Sequence, residues 1–422
     1  MKKFISFINK NRSSVIIVII GLLIRLMFIP ITLYVDLLSA TFRQYLFVQD
    51  GIFRLSNLQE LILSGYLHLF NDHLFLIPQT ISNFRPQGDH QIFTNALGAV
   101  DIFAKSNLSM RTLFVLKFPY LIFELAATFV LLKIYDDRLK NIWLILLWWL
   151  NPILIYAVYA WGRYDIIPLL LVLVSIYFAK KDKVWYSFIF LGFAIACRDV
   201  YLIILPLYLI YFYKNKHSLI SQILVVYLPI YAIDKLFAFL KNFEPNISSS
   251  LYILSASYSN SIDYVLYTTI STNDSKIAPL FFIIPLIYLY FLSKKKKNFD
   301  LLVKFSTAVF VVFLVLSRIH PHYMIWLMPF LILAIADNKK FLYSYLVFVV
   351  AFFCYFALAF SIRTNITMFL PVNYDLFINV GSLWEKMLIS YRSENLILIS
   401  RTLYVFTAGV MLWFLIFQRN KK

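Results

Sequence analysis

An all-α, polytopic membrane protein with about twelve membrane-spanning helices is what this sequence predicts, and three observations lead there. Apolar residues make up 61% of the 422 positions, and several runs exceed the roughly 18 residues that separate a membrane span from a soluble core helix. Twelve such stretches divide the chain. When their ends are dealt alternately to two sides of a bilayer, the formal charge of +18 falls almost wholly on one side. The side holding both termini carries 22 Lys and Arg against 5 Asp, and the other carries 17 against 16 acids. That asymmetry places both termini in the cytoplasm by the positive-inside rule.

The stretches fall near 15–34, 113–132, 141–160, 164–179, 184–197, 200–213, 219–237, 277–293, 305–317, 323–336, 341–361 and 396–417. The first is too long for a signal-peptide core and lacks a small-residue cleavage site before Asp36, so it is expected to remain as a span. Several others are shorter than the ~20 residues needed to cross hydrocarbon. The pair 184–197 and 200–213 is either two short spans or a hairpin of two half-height, re-entrant helices with Arg198 and Asp199 at its tip, and either reading keeps the parity of every later span.

The short connections are lysine-rich and cytoplasmic on this assignment, whereas the long ones, 35–112, 238–276 and 362–395, all lie on the outer side. Within 35–112, Phe53, Leu55, Leu58, Leu61, Ile62 and Leu67 recur at helical spacing among Arg54, Gln59 and Glu60. That pattern predicts an amphipathic juxtamembrane helix, which either covers the bundle or guides a lipid. No soluble domain, Gly- or Pro-rich linker or internal repeat interrupts the chain, so residues 1–422 form one membrane domain. Cys197 and Cys354 both lie in apolar segments and offer no disulfide framework. The lysines cluster at span ends, where they set orientation and meet anionic lipid headgroups, so nucleic acid is not an expected partner.

Charge inside or beside a span is costly and marks functional candidates. Here such residues gather at the outer boundary. Asp36 follows the first span, with Arg43 shortly after it; Arg163 and Asp165 stand in Trp161-Gly162-Arg163-Tyr164-Asp165; Arg198 and Asp199 sit between the two short helices; and Arg318, His320, His322 and Tyr323 stand in Ser317-Arg318-Ile319-His320-Pro321-His322-Tyr323. Of 14 arginines, 11 are outer or intramembrane, whereas 19 of 25 lysines are cytoplasmic. Lysine sets orientation equally well, so this concentration of arginine points to bidentate recognition of phosphate or carboxylate. The competing reading is that these arginines pair with the acids beside them. Asp36 either caps the juxtamembrane helix or deprotonates an acceptor hydroxyl. His320 and His322 straddle a proline, but no third ligand is spaced with them, so no metal site is assigned and no cofactor is required. Lys117 and Glu124 lie two turns apart on one helical face and are expected to pair within the bundle.

Read in order, four segments resemble the GT-C superfamily of membrane glycosyltransferases, especially bacterial relatives of the GPI-anchor mannosyltransferase and other polyprenyl-phosphate-sugar-dependent mannosyltransferases. They are Lys117-Phe118-Pro119-Tyr120-Leu121-Ile122-Phe123-Glu124, Leu150-Asn151-Pro152 running on to Trp161-Gly162-Arg163-Tyr164-Asp165, Leu191-Gly192-Phe193-Ala194-Ile195-Ala196-Cys197-Arg198, and His320-Pro321-His322-Tyr323 through Pro329. The resemblance implies an inverting hexosyltransferase that draws a sugar, mannose favoured, from a polyprenyl-phosphate donor in the bilayer and passes it to a glycolipid or glycan acceptor. It assigns the catalytic carboxylate to Asp36. Many relatives carry an adjacent acidic pair where Asp36 is followed by Leu37 and Leu38, which keeps Asp50 and Asp89 as alternative bases. Arg163, Arg198, Arg318 and His320 would stabilise the departing phosphate. A polytopic transporter, a glycan polymerase or ligase, and an inactive accessory relative stay open as alternatives.

Overall fold

The computed structural model describes residues 12–53, 55–70, 96–135, 138–242, 270–272, 275–277, 280–317, 320–337, 341–359, 366–380 and 393–417. Each of the twelve predicted apolar stretches holds helix. In chain order the helices are α1 (Arg12–Ile31), α2 (Val35–Asp50), α3 (Leu58–Leu69), α4 (Ala96–Lys105), α5 (Ser109–Ile134) and α6 (Arg138–Trp149). A turn at Pro152–Leu154 then runs into a π-helix, Ile155–Ala160. After it come α7 (Ile166–Lys180), α8 (Val184–Cys197), a 3₁₀ helix (Asp199–Ile204) leading into α9 (Leu205–Phe212), and α10 (Lys216–Lys241). Two three-residue strands, β1 (Ile270–Thr272) and β2 (Ser275–Ile277), pair antiparallel. The rest is α11 (Leu280–Leu292), α12 (Phe299–Leu316), a 3₁₀ helix (Pro321–Leu327) continuing as α13 (Met328–Asp337), α14 (Phe341–Ala359) and α15 (Ser393–Phe417).

Among the described residues, seven helical segments are long and apolar enough to cross a membrane, and five shorter apolar ones stand among them. This is a multi-pass membrane protein. Its outward faces say the same: Ile220, Ile223, Leu224, Leu228 and Tyr231 of α10 are all exposed, as are Ile16, Ile19, Ile20, Leu23 and Met27 of α1. Apolar stripes of that extent suit acyl chains and are disfavoured in water. The interior is built from α7 packed against α5 and α8, α8 against α10, α1 against α5 and α6, and α12 among α11, α13 and α15.

Local chemistry explains where the helices stop. Pro30 has no backbone N–H to donate into the hydrogen-bond ladder, and α1 ends one residue later. Thr32–Tyr34 then run without helix before α2 begins, so Asp36 belongs to the first turn of a new helix and does not end the span. The predicted amphipathic helix starts later than its apolar spacing suggests. Gly51 closes α2 in the left-handed conformation at φ 65°, and Asn57 caps α3 by accepting from the Glu60 N–H. Phe53 and Leu55 therefore lie in the connection, buried all the same. Two short helical segments stand either side of Arg198, as the apolar runs predicted. Helix α8 ends at Arg198, whose extended backbone (φ −149°, ψ 109°) turns the chain into the 3₁₀ segment.

The expected Lys117–Glu124 pair does not form. Both side chains are fully buried, but Glu124 takes two bonds from Arg25 of α1, at 2.6 and 2.5 Å. The hydroxyl of Tyr159 adds a third at 2.5 Å. Lys117 instead donates to the Thr32 carbonyl at 2.5 Å, the Thr32 hydroxyl at 2.8 Å and the Tyr159 carbonyl at 2.8 Å. Shared helical phase put Lys117 and Glu124 on one face, yet stronger partners on other helices claimed each.

Candidate functional site

Four of the residues predicted to gather at one boundary, Asp36, Arg163, Asp165 and Arg198, come together where helices end. The chain leaves the π-helix through Trp161 N–H, which bonds the Tyr156 carbonyl at 2.9 Å, and Gly162, at φ 65°, turns it towards α7. A side chain at Gly162 would meet Leu37 at 3.0 Å and Lys117 at 3.3 Å. Glycine therefore serves both the conformation and the close approach of α2. That contact sets Arg163 opposite Asp36.

A continuous line of ion pairs follows. Arg163 Nη1 donates to Asp36 Oδ2 at 2.9 Å, and Arg163 Nε lies 3.4 Å from Asp165 Oδ2. Arg198 Nε donates to Asp165 Oδ1 at 2.6 Å, with Nη2 3.4 Å from Oδ2. The Trp326 indole N–H completes the shell of Asp165 at 3.1 Å. Asp165 is fully buried and held from three directions, so it fixes the two guanidiniums and is not itself open to a reactant. Asp36 differs. Its side chain keeps 27% exposure, and among the described residues no donor engages its second oxygen, Oδ1.

Arg43 lies two turns beyond Asp36 on α2 and is taken up elsewhere. Its Nη2 and Nε donate to Glu60 at 2.5 and 3.2 Å. Glu60 also accepts from Tyr164 Oη at 2.8 Å and from the Ser56 N–H at 2.9 Å. Burial alone would raise the Glu60 carboxyl, but the Arg43 charge and these hydrogen bonds outweigh it and hold it below the ordinary carboxylate range. Tyr164 thus couples the α2–α3 latch to the segment carrying Arg163 and Asp165.

An aromatic wall closes the other side. Trp161, fully buried, lies 4.0 Å from Tyr34, 5.2 Å from His322 and 6.4 Å from His320 between ring centroids. Tyr323 stacks on Trp326 at 4.3 Å. His322 is 1% exposed, and neither ring nitrogen has a hydrogen-bond partner in the protein. The His320 and His322 rings stack at 5.5 Å, and among the described residues no three His, Cys, Asp or Glu side chains gather as a metal site. Asp199 is exposed at the start of its 3₁₀ helix. Arg318 and Asp89 lie outside the described residues, and of Asp50 only the backbone at the end of α2 is described.

Neither a family model nor a curated protein nor a solved structure matches this chain. Any account of the site therefore starts from its geometry.

Three contributors were not singled out in the sequence. Glu60 was visible only as a helix-capping acid three residues after Asn57; nothing in its spacing names Arg43 or Tyr164. Trp326 sits on the far side of a proline-led 3₁₀ turn, whose register aims the indole at Asp165. Arg25, the one charge within the apolar run 15–34, was a legible signal by the cost of intramembrane charge.

Proposed function

We propose that the chain is a membrane glycosyltransferase of GT-C type. It moves a hexose, mannose favoured, from a polyprenyl-phosphate donor to a glycolipid or glycan acceptor at the outer face, with both termini cytoplasmic. The observation that carries this reading is the asymmetry of Asp36. One oxygen is anchored by Arg163 and the other is uncommitted, on a partly exposed side chain beside two arginines.

In the proposed step Asp36 Oδ1 takes the proton from the acceptor hydroxyl. The acceptor oxygen forms its bond to the sugar C1 from the face opposite the phosphate, and the C1–O bond breaks with its electron pair leaving on the phosphate. The anomeric configuration inverts. Arg163 and Arg198 would meet the charge that builds on the leaving group; among the described residues no hydrogen bond engages Arg163 Nη2 or Arg198 Nη1. Preorganised cations of this kind lower the barrier because they stabilise the transition state more than the ground state. His322 supplies a ring N–H donor from the aromatic wall, and Tyr34 and Tyr323, both partly exposed, offer ring faces to a sugar.

The charge partition supports the orientation. A cysteine at position 90 should react with an impermeant thiol reagent added outside, and one at position 296 should not, in a Cys354→Ser background. The reverse result would put the site on the wrong side for this reading. Activity is tested by transfer of label from polyprenyl-phosphate mannose or glucose to membrane acceptors. Wild-type membranes should transfer it and Asp36→Asn membranes with equal folded protein should not. Retained transfer would move the base to Asp50 or Asp89. No transfer from a broad donor panel would remove the glycosyltransferase reading.

A further inference from the structure

Lys117 makes an unusual set of bonds. It is fully buried in α5, and each of its three ammonium protons finds an acceptor: the Thr32 carbonyl at 2.5 Å, the Thr32 hydroxyl at 2.8 Å and the Tyr159 carbonyl at 2.8 Å. None is a carboxylate. Thr32 follows the last residue of α1, and Tyr159 lies in the last turn of the π-helix. Carbonyls at helix C-termini lack intrahelical partners and carry the negative end of the helix dipole, so a cation there is favoured twice.

The two chain segments that Lys117 joins are the two that supply the ion pair at the site. Asp36 comes four residues after Thr32, and Arg163 four residues after Tyr159. Their neighbours already touch. Leu37 and the Lys117 stem both press on Gly162, and Tyr120, three residues along α5, lies with its hydroxyl 3.3 Å from the Gly162 carbonyl. The Thr32 hydroxyl, whose one proton is shared between the Phe28 and Tyr159 carbonyls at 2.8 Å each, adds a second link between the same two ends.

We infer that Lys117 is a positioning residue: it clamps the end of α1 to the end of the π-helix and so sets the Asp36 carboxylate against the Arg163 guanidinium. The inference rests on the proposed role of Asp36. Lys117's hydrogen bonds go to Thr32 and the Tyr159 carbonyl, and to neither Asp36 nor Arg163, so it acts through the segment that carries each. Its loss should therefore change the reacting geometry more than the affinity for donor.

Two measurements separate this inference from the functional reading. In the transfer assay, Lys117→Met should lower kcat about a hundredfold, the scale of an ångström of misplacement, while KM for the polyprenyl-phosphate donor stays near its parent value. In an Asp36→Asn background the same substitution should add little further loss, because the group it positions is already gone. Independently of any activity, cysteines at positions 36 and 163 in a Cys354→Ser background should be joined by a short bis-methanethiosulfonate, and adding Lys117→Met should cut that yield severalfold. Where Lys117→Met does not accumulate, Thr32→Val, which removes one acceptor of the clamp, should move both readouts in the same direction by less. Cross-linking that depends on Lys117 without any wild-type transfer would refute the glycosyltransferase reading and leave the clamp standing. Cross-linking indifferent to Lys117, or a loss of kcat that is fully additive with Asp36→Asn, would overturn the clamp.

Discussion

Two ionic networks lie at either end of the stretch Trp148–Asp165, and they are built on opposite plans. At one end Arg25 and Glu124 are both fully buried. Glu124 accepts from Arg25 and Tyr159, and Arg25 spends its remaining donors on the carbonyls of Gly21 at 2.9 Å and Trp149 at 2.7 Å while lying 4.4 Å over the Trp149 ring. At the other end Asp36 gives one oxygen to Arg163, and among the described residues its other oxygen and one donor nitrogen each of Arg163 and Arg198 stay unengaged. The first network is closed and ties α1, α5 and α6 together. The second is open, which is the condition for meeting a substrate. Intramembrane charge alone does not mark a working site; unspent hydrogen-bonding capacity does.

The sharpest way to break this comparison is to disturb the closed network. Glu124→Ala should cost about 3–5 kcal/mol, because it strands Arg25 in the bundle without its counter-ion, and the loss should appear as reduced folded yield in detergent. Replacing both partners with leucine should recover part of it, since two well-packed apolar groups avoid the desolvation cost. Disturbing the open network should do the reverse. Asp36→Asn is expected to lower transfer by about 10²–10⁴, the usual contribution of a general base, with folded yield unchanged.

The Glu60 latch falls between these extremes. Glu60→Gln should cost about 1–3 kcal/mol, the penalty for weakening a buried, charge-assisted set of hydrogen bonds. Because the folded carboxyl titrates below its ordinary range, its contribution is fully present above the unfolded pKa and is lost as pH falls through the depressed folded value. The wild type and Glu60→Gln should therefore converge in thermal stability on acidification. A gap between them that stays constant with pH would show that Arg43 is not what holds Glu60. The smallest effect belongs to Gly162→Ala. A Cβ at φ 65° costs about 1–2 kcal/mol, and its approach to Leu37 should move α2, so transfer should fall more than melting temperature does.

Much of the architecture was legible because apolar runs of membrane length admit few structures other than helices. The tip at Arg198, the Trp161–Asp165 turn and the meeting of both with His322 and Tyr323 were legible for a related reason: polar residues interrupting such runs have few places to go. Partner choice was not. Lys117 and Glu124 share a helical face, but their partners Thr32, Tyr159 and Arg25 come from α1 and the π-helix, and spacing along one helix carries no information about another. The π-helix was hidden as well, since Ile155–Ala160 reads as ordinary apolar helix until Trp161 and Arg163 bond back to Tyr156 and Ala157. The reading of arginine as a phosphate ligand was half of the picture. Arg43 and Arg25 are engaged by carboxylates, while Arg163 and Arg198 are held by carboxylates and keep a donor each.

The most direct test of the open-versus-closed distinction is the melting temperature of purified Asp36→Asn and Glu124→Gln proteins in the same detergent, followed by tryptophan fluorescence. The account predicts that Asp36→Asn melts with the wild type, because a partly exposed pair contributes about 0–1 kcal/mol, and that Glu124→Gln melts well below it. Equal destabilisation by the two substitutions would contradict it, since Asp36 would then be holding the fold together as Glu124 does.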